Sequence, residues 1–378
     1  MFANPITKSY EQLGGDGDDI LFGSQPTENL NALHPSPVHI FRLWQTFLDN
    51  INPLTKIFHA PSVQQKVLDA TADLENIPKN TEALMFGIYA AATSSMNNGE
   101  CQKLFNKNKE EVLARFQSGA RQALRAAGYL KSSDIVVLQA FTLYLVGLLY
   151  SSSWLRWLTH LKLSSLQMTI DPRSLFCLAG VAVRIAQRMG LSTDGTTYAI
   201  PPFEVEMRRR LWWQIVLIDV RVAEFSGAGT SILTYAWNTK LPSNINDSDL
   251  SPDMRDQPVE RPGLTEMVFV RLRCEAAQLV QQSRAVTGNL TMRDGAIDEF
   301  EQRLEREYLC HCDPSIPLHL MSTMMARSAL CKLRMGLCRP HFMSDRTNRL
   351  SLVEKENLFQ LSYVPSSGCY RLLMLTYQ

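Results

Sequence analysis

Apolar residues recur at steps of three and four through most of the chain, a pattern that predicts helices and offers no strand series. Ser36 stands in the cap position of the first with Pro37 in its first turn. Ile40, Phe41, Trp44, Phe47, Leu48 and Ile51 fall on one face, and Pro53 stops it. Pro61 opens a second helix carrying Val63, Val67, Ala70 and Leu74. A third, over 81–93, is apolar nearly all round, which places it at the centre of a bundle. Residues 107–127 form a long amphipathic helix with Val112, Phe116, Ala120 and Leu124 at steps of four, ended by Gly128. A buried helix is expected over 134–146, and Asp171-Pro172 starts, and Gly190 stops, the next. Residues 227–263 hold four prolines and many Asp, Asn and Ser residues, so they read as a long loop. Helices resume over 264–286, 294–308, 317–338 and 350–361. The expected fold class is all-α, a multi-helix bundle.

One stretch departs from the simple amphipathic pattern. Phe203-Glu204-Val205-Glu206-Met207-Arg208-Arg209-Arg210-Leu211-Trp212-Trp213-Gln214-Ile215 follows Pro201-Pro202, which supplies a helix start. Glu204 with Arg208, and Glu206 with Arg210, lie four apart with the acid on the N-terminal side, the orientation that gives a surface helix a few tenths of a kcal/mol per pair. This predicts a helix that is half core and half salt-bridged face, ordered but not strongly stabilised. Three arginines beside tryptophans also suggest phosphate or nucleic-acid contact. The glutamates neutralise them locally, and Leu211, Ile215, Ile218 and Val222 continue an apolar stripe that seats the tryptophans in a core, so the packing role is expected.

The run Asp171-Pro172-Arg173-Ser174-Leu175, then Gly180 through Leu191, Asp194-Gly195, Pro202-Phe203-Glu204 and Arg208-Arg209-Arg210-Leu211-Trp212-Trp213 resembles the fungal-specific transcription factor domain, the middle regulatory region of fungal binuclear zinc cluster regulators. His34-Pro35-Ser36-Pro37, Phe41, Trp44 and Asn52-Pro53-Leu54-Thr55-Lys56-Ile57 resemble the start of that region, so the likeness spans roughly 34–345. The resemblance implies a nuclear transcription regulator, its targets fungal metabolic or secondary-metabolite gene clusters, with partners among copies of itself, related regulators and the transcription machinery. DNA would be reached indirectly or through an N-terminal module. The alternative it leaves is an interaction or dimerisation module deficient in DNA binding, a truncated or dominant-negative regulator.

That N-terminal module is a six-cysteine zinc cluster, and residues 1–100 hold no cysteine. The eight cysteines at 101, 177, 274, 310, 312, 331, 338 and 369 include no Cys-x2-Cys pair. Cys331 and Cys338 lie in a helical apolar pattern, and Cys310-His311-Cys312-Asp313 has no second ligand pair nearby, so free thiols are expected. A net charge of +1 from 38 basic and 37 acidic residues gives no global attraction for a phosphate backbone. A hydrophobic content of 45% is ample for a large core, and the start of the chain resembles neither a secretory nor a transit sequence.

Residues 1–33 read as a disordered acidic, glycine-rich leader; Gly14-Gly15-Asp16-Gly17-Asp18-Asp19 matches one calcium-binding β-helix repeat, and one repeat has no neighbour to stack on. Residues 34–362 form the helical regulatory domain, and 363–378 are a tail without assignment. Within the domain, 147–168 form an atypical insert with no acidic residue where the family has a short connection, expected to be translated intron or other recent sequence that packs poorly. Residues 135–155 carry no charge and meet the length of a membrane span, but Gln139, Thr142 and Ser151-Ser152-Ser153 interrupt them and no positive cluster flanks Asp134, so no membrane association is expected. The chain lacks a Gly-x-Ser-x-Gly elbow, a His-Glu-x-x-His helix and a phosphate loop. No catalytic, cofactor-binding or metal residues are expected, no cofactor, and no enzyme activity.

Overall fold

The computed structural model describes residues 29–150, 171–227, 236–287 and 295–343. Among them the chain forms thirteen α-helices and no strand. In order these are α1 (Leu30–Leu33), α2 (Pro37–Asn50), α3 (Asn52–Thr55), α4 (Ala60–Ala72), α5 (Lys79–Ser95), α6 (Asn98–Phe105) and α7 (Lys109–Ala126). They continue with α8 (Ile135–Tyr150), α9 (Pro172–Arg188), α10 (Pro202–Ser226), α11 (Val268–Thr287), α12 (Ala296–Glu307) and α13 (Pro317–Met343).

The all-round apolar helix is the centre, as its sequence implies. Every residue of α5 from Thr81 to Ser94 is buried, and it packs most extensively against α8, then α7 and α2. Close approach depends on small residues. A Cβ on Gly87 of α5 would lie 3.2 Å from the Ala140 carbonyl oxygen of α8, and one on Gly119 of α7 would lie 2.4 Å from the Phe86 ring. The uncharged helix α8 is thus sheathed by protein, and among the described residues no helix is long and apolar enough to cross a membrane. Residues 147–150 complete α8; the rest of the 147–168 segment lies outside the described residues, as do the leader repeat at 14–21, the helix expected over 350–361 and the tail.

Helix α10 forms the second axis of the fold. It packs on α9, and every residue from Val205 to Asp219 is buried, as are Val222 and Ala223. Gly190, at φ +74°, takes the left-handed turn that ends the α9 segment, a conformation with no steric cost only for glycine. A satellite core of Val268 and Leu272 from α11 with Ile297, Phe300, Leu304, Ala326 and Leu330 joins α11, α12 and α13.

Two local expectations are corrected. Ser36 does occupy the cap of α2, but its hydroxyl makes no capping bond; Pro37 at the first position has no N–H to satisfy and carries the start. Phe41 is exposed and Leu43 is buried instead, because the buried face keeps Ile40, Trp44, Phe47 and Ile51 and is rotated slightly from the expected stripe, away from the Phe41 edge and toward the Leu43 edge.

Gly119→Ala is expected to lower stability by about 1–2 kcal/mol despite alanine's higher helix propensity, since the Phe86 ring is enclosed by core and cannot withdraw. Urea denaturation followed by far-UV circular dichroism checks this.

Candidate functional site

The arginine triplet of α10 faces inward. Arg208 and Arg209 are buried and Arg210 is fully so, as are Glu206, Trp212 and Trp213. The expectation of a solvent-washed salt-bridged face is therefore corrected: the i, i+4 pair Glu206–Arg210 exists at 3.1 Å, but within the core. Glu204 stays at the surface, 4.0 Å from Arg208.

Each arginine ties α10 to a different part of the chain. Arg208 donates from Nη2 to the Met189 carbonyl (2.8 Å), placing a cation at the C-terminus of α9, where the helix dipole favours it. Burial lowers the Arg208 pKa against the pull of Glu204. Arg209 grips Asp194 side-on, Nε to Oδ2 at 2.8 Å and Nη2 to Oδ1 at 2.9 Å. Asp194 also accepts from the Thr196 hydroxyl (2.7 Å) and the Lys240 backbone N–H (2.9 Å). Burial opposes its ionisation, and the bonds from Arg209, Thr196 and Lys240 overcome it, holding the carboxyl well below the usual range.

Arg210 is the hub. Its Nε donates to Glu206 and its Nη1 to Asp247 Oδ1 at 2.7 Å. Asp247 sits in a short 3-10 turn, Asp247–Asp249, within the segment read as a long loop. Its other oxygen accepts from Lys56 Nζ at 3.1 Å, and Lys56 also pairs with Glu266. Glu206 in turn accepts from the Ser243 N–H (3.1 Å). Burial works against the charge on Arg210, and Glu206 and Asp247 more than offset it, raising its pKa; the same partners lower that of Asp247 against its own desolvation. Two cations thus meet three carboxylates, one of which, Glu266, is half exposed.

Beside the hub lies His59. Its Nε2 donates to the Asp247 carbonyl (3.0 Å), which fixes the tautomer, so Nδ1 accepts from the Ser62 hydroxyl at 2.7 Å. Burial lowers its pKa from 6.5, assisted by Arg210 and Lys56, so the ring is held neutral. The segment from 236 to 267 is therefore a strap bound along α10. Trp237 meets Trp212 and Trp213 edge to face at 5.6 and 5.0 Å, Trp213 Nε1 donates to the Lys240 carbonyl, and Asn244 gathers the Arg261 and Gly263 carbonyls at 2.8 Å each.

Chemically this arrangement immobilises. Its charged groups are spent on one another, leaving none of the three guanidinium groups on the surface for a phosphate. Cys310 and Cys312 turn their thiols back to the Arg306 and Tyr308 carbonyls, and among the described residues no three His, Cys, Asp or Glu side chains converge as metal ligands. The sequence named Arg208, Arg209, Arg210 and Glu206 correctly as one element. It missed Asp194, Asp247, Lys56 and His59 as their partners; Asp194-Gly195 and the Lys56 of Asn52-Pro53-Leu54-Thr55-Lys56-Ile57, each within a quoted motif, were the signals present.

Replacing Arg210 by methionine leaves Glu206 and Asp247 buried face to face and is expected to cost about 3–5 kcal/mol, whereas Glu206→Leu combined with Arg210→Met is expected to cost less than the single change. Equilibrium urea unfolding of the three proteins checks the order. Stability is also expected to fall as the pH drops. The unfolded chain takes up a proton at His59 near pH 6.5 while the folded chain resists it, and below the 3.8 of an ordinary aspartate the same holds for Asp194 and Asp247. Thermal midpoints measured from pH 7.5 to 5 decline in the parent chain and decline less in His59→Gln.

The fungal specific transcription factor domain model matches residues 44–263, a range that includes α10, both strap anchors at Asp194 and Asp247, and Lys56. The transcriptional regulator AacuB of Aspergillus aculeatus is 38% identical over 334 residues, 85% of this chain and 43% of that protein. The aurofusarin cluster transcription factor aurR2 of Gibberella zeae is 35% identical over 353 residues, 91% of this chain and 50% of the relative. The pyriculol/pyriculariol biosynthesis cluster transcription factor 1 of Pyricularia oryzae is 39% identical over 341 residues, 84% of this chain and 43% of the relative. The chain spans about half the length or less of these relatives, and no solved structure matches it. With more than half of its length matched by the domain model, and with the arginine–tryptophan helix and its anchors inside that match, the chain belongs to the fungal specific transcription factor domain family.

Proposed function

We propose that this chain is the regulatory region of a nuclear transcription regulator that controls a fungal secondary-metabolite biosynthetic gene cluster. The observation that carries the reading is the alignment of 84–91% of the chain with regulators two of which are named for such clusters. In the described residues the arginines that suggested phosphate contact are committed to internal carboxylates and a carbonyl, which favours action through partners or an effector over direct contact with DNA. In this reading no residue has a catalytic, cofactor-binding or metal-binding role. An effector or partner that binds one arrangement of the helices better than another shifts the population toward it. The partners are copies of this chain, related regulators and the transcription machinery.

A second reading is an interaction or dimerisation module that acts beside a DNA-binding homologue; it is supported by the burial of all three arginines of α10, which leaves none of those guanidinium groups on the surface for a phosphate. Gene deletion in the source fungus is expected to lower transcripts of one biosynthetic cluster together, and unchanged transcripts would overturn the regulatory reading. In gel-shift assays at physiological salt the purified chain is expected to leave promoter DNA unshifted by itself and to join the complex formed by a DNA-binding homologue. A sequence-specific shift by the chain alone would contradict it.

A further inference from the structure

The strap carries one exposed excursion at its middle. Residues 251–261 are exposed apart from the half-buried Met254 and Pro258, and Val259 reaches 86% exposure. The two ends of this loop are fastened together. Arg261 donates to both oxygens of Asp249, from Nε at 2.7 Å and from Nη2 at 2.5 Å, and its backbone N–H donates to the Asn244 carbonyl at 2.9 Å. Asp249 Oδ2 also accepts from the Asn246 N–H at 2.9 Å, closing a capping box around the same 3-10 turn whose first residue, Asp247, holds Arg210. The fastening of the surface loop and the buried hub therefore share one turn of backbone.

At the start of the loop stands Ser251, exposed and followed by Pro252. The sequence holds one other Ser-Pro pair, Ser36-Pro37, which runs directly into the 14 residues of α2 and would have to unwind that helix to lie extended. Ser251 has no such obstacle. A single backbone bond, Met254 N–H to the Ser251 carbonyl at 3.1 Å, shapes the chain after it, and a residue preceding proline is already biased toward extended geometry.

We propose that Ser251 is a phosphorylation site for a proline-directed serine/threonine kinase, and that the phosphate loosens the strap by competing with Asp249 for Arg261. The Ser251 hydroxyl oxygen attacks the γ-phosphorus of a nucleoside triphosphate; the oxygen–phosphorus bond forms, the bond to the β-phosphate oxygen breaks, the nucleoside diphosphate leaves, and the hydroxyl proton passes to the kinase's base. The product carries about −1.5 to −2 charge at neutral pH, two residues from Asp249 and two from Asp253. Arg261, 51% exposed at its side chain, is free to swing, and a phosphate offers its guanidinium a stronger two-point acceptor than a carboxylate does. Asp249 then faces added negative charge with its cation withdrawn, and the turn that presents Asp247 to Arg210 loses its clasp. This inference does not depend on the transcriptional reading.

The test treats the purified full chain with a proline-directed kinase and magnesium ATP, maps phosphate by peptide mass spectrometry, and follows hydrogen–deuterium exchange of the peptide spanning 244–250. Phosphate is expected on Ser251 of the folded chain, with exchange in that peptide about two- to fivefold faster, the factor an exposed ion pair contributes. Ser251→Ala is expected to take up no phosphate there and to exchange like the untreated chain. Arg261→Gln is expected to raise the same exchange without phosphate, after which phosphorylation adds little. Failure of the kinase to modify Ser251 in the folded chain, while it modifies a free peptide of residues 245–258, would overturn the proposal. Phosphate on Ser251 with unchanged exchange would overturn it equally.

Discussion

Arg210 places a full positive charge where no water reaches, between Glu206 on its own helix and Asp247 from a segment 37 residues later. A buried arginine is tolerable only if carboxylates are held against it, and those carboxylates are tolerable only with the arginine in place. That mutual requirement propagates outward. Asp247 must be delivered by the strap, Lys56 must be delivered by the end of α3, and α10 must lie between them. Lys56 adopts a left-handed backbone at φ 43°, a conformation an ordinary residue keeps only when its surroundings hold it, and its ammonium is clasped by Asp247 and Glu266.

Such a network is a device of specificity more than of stability. A core of aliphatic side chains of equal volume would pack as well and forgo the desolvation cost, and Arg210 Nη2 has no hydrogen-bond partner among the described residues. What charges supply is register: only one placement of the strap brings the Lys240 N–H to the Asp194 carboxylate that holds Arg209, the Lys240 carbonyl to Trp213, and Asp247 to Arg210 at once. An element held by a few discrete polar contacts has one seat, where a purely apolar interface can slide.

The helices were legible because local pattern determines them. The steps of four in α7, the all-apolar run of α5 and the glycine after α9 each act within a turn or two of chain, and each appears where its sequence places it. The burial of Glu206 and Arg210 was not legible, because an acid four residues before an arginine has the same spelling on a surface as in a core. The deciding partners are remote: Lys56 meets Asp247 across 191 residues. For the same reason the strap read as a long loop, with no sign of what it binds. Its prolines, asparagines and aspartates forbid helix, as the sequence indicates, yet its aspartates, an asparagine and a tryptophan are the groups that bind it down, and nothing local distinguishes an aspartate facing water from one facing a buried arginine. Ser36 and Phe41 show the smaller version of this limit, where cap identity and face are settled by what the helix packs against.

The claim that the arginine triplet is an internal clasp and not a phosphate-contacting surface is tested most directly by nuclear magnetic resonance of arginine side chains labelled with nitrogen-15. If Arg209 and Arg210 are enclosed as described, their Nε–H signals are visible at neutral pH, exchange slowly with water, and do not move when duplex DNA is added. Nε–H protons at these two positions that exchange as fast as those of exposed arginines, or that shift on adding DNA, would contradict it.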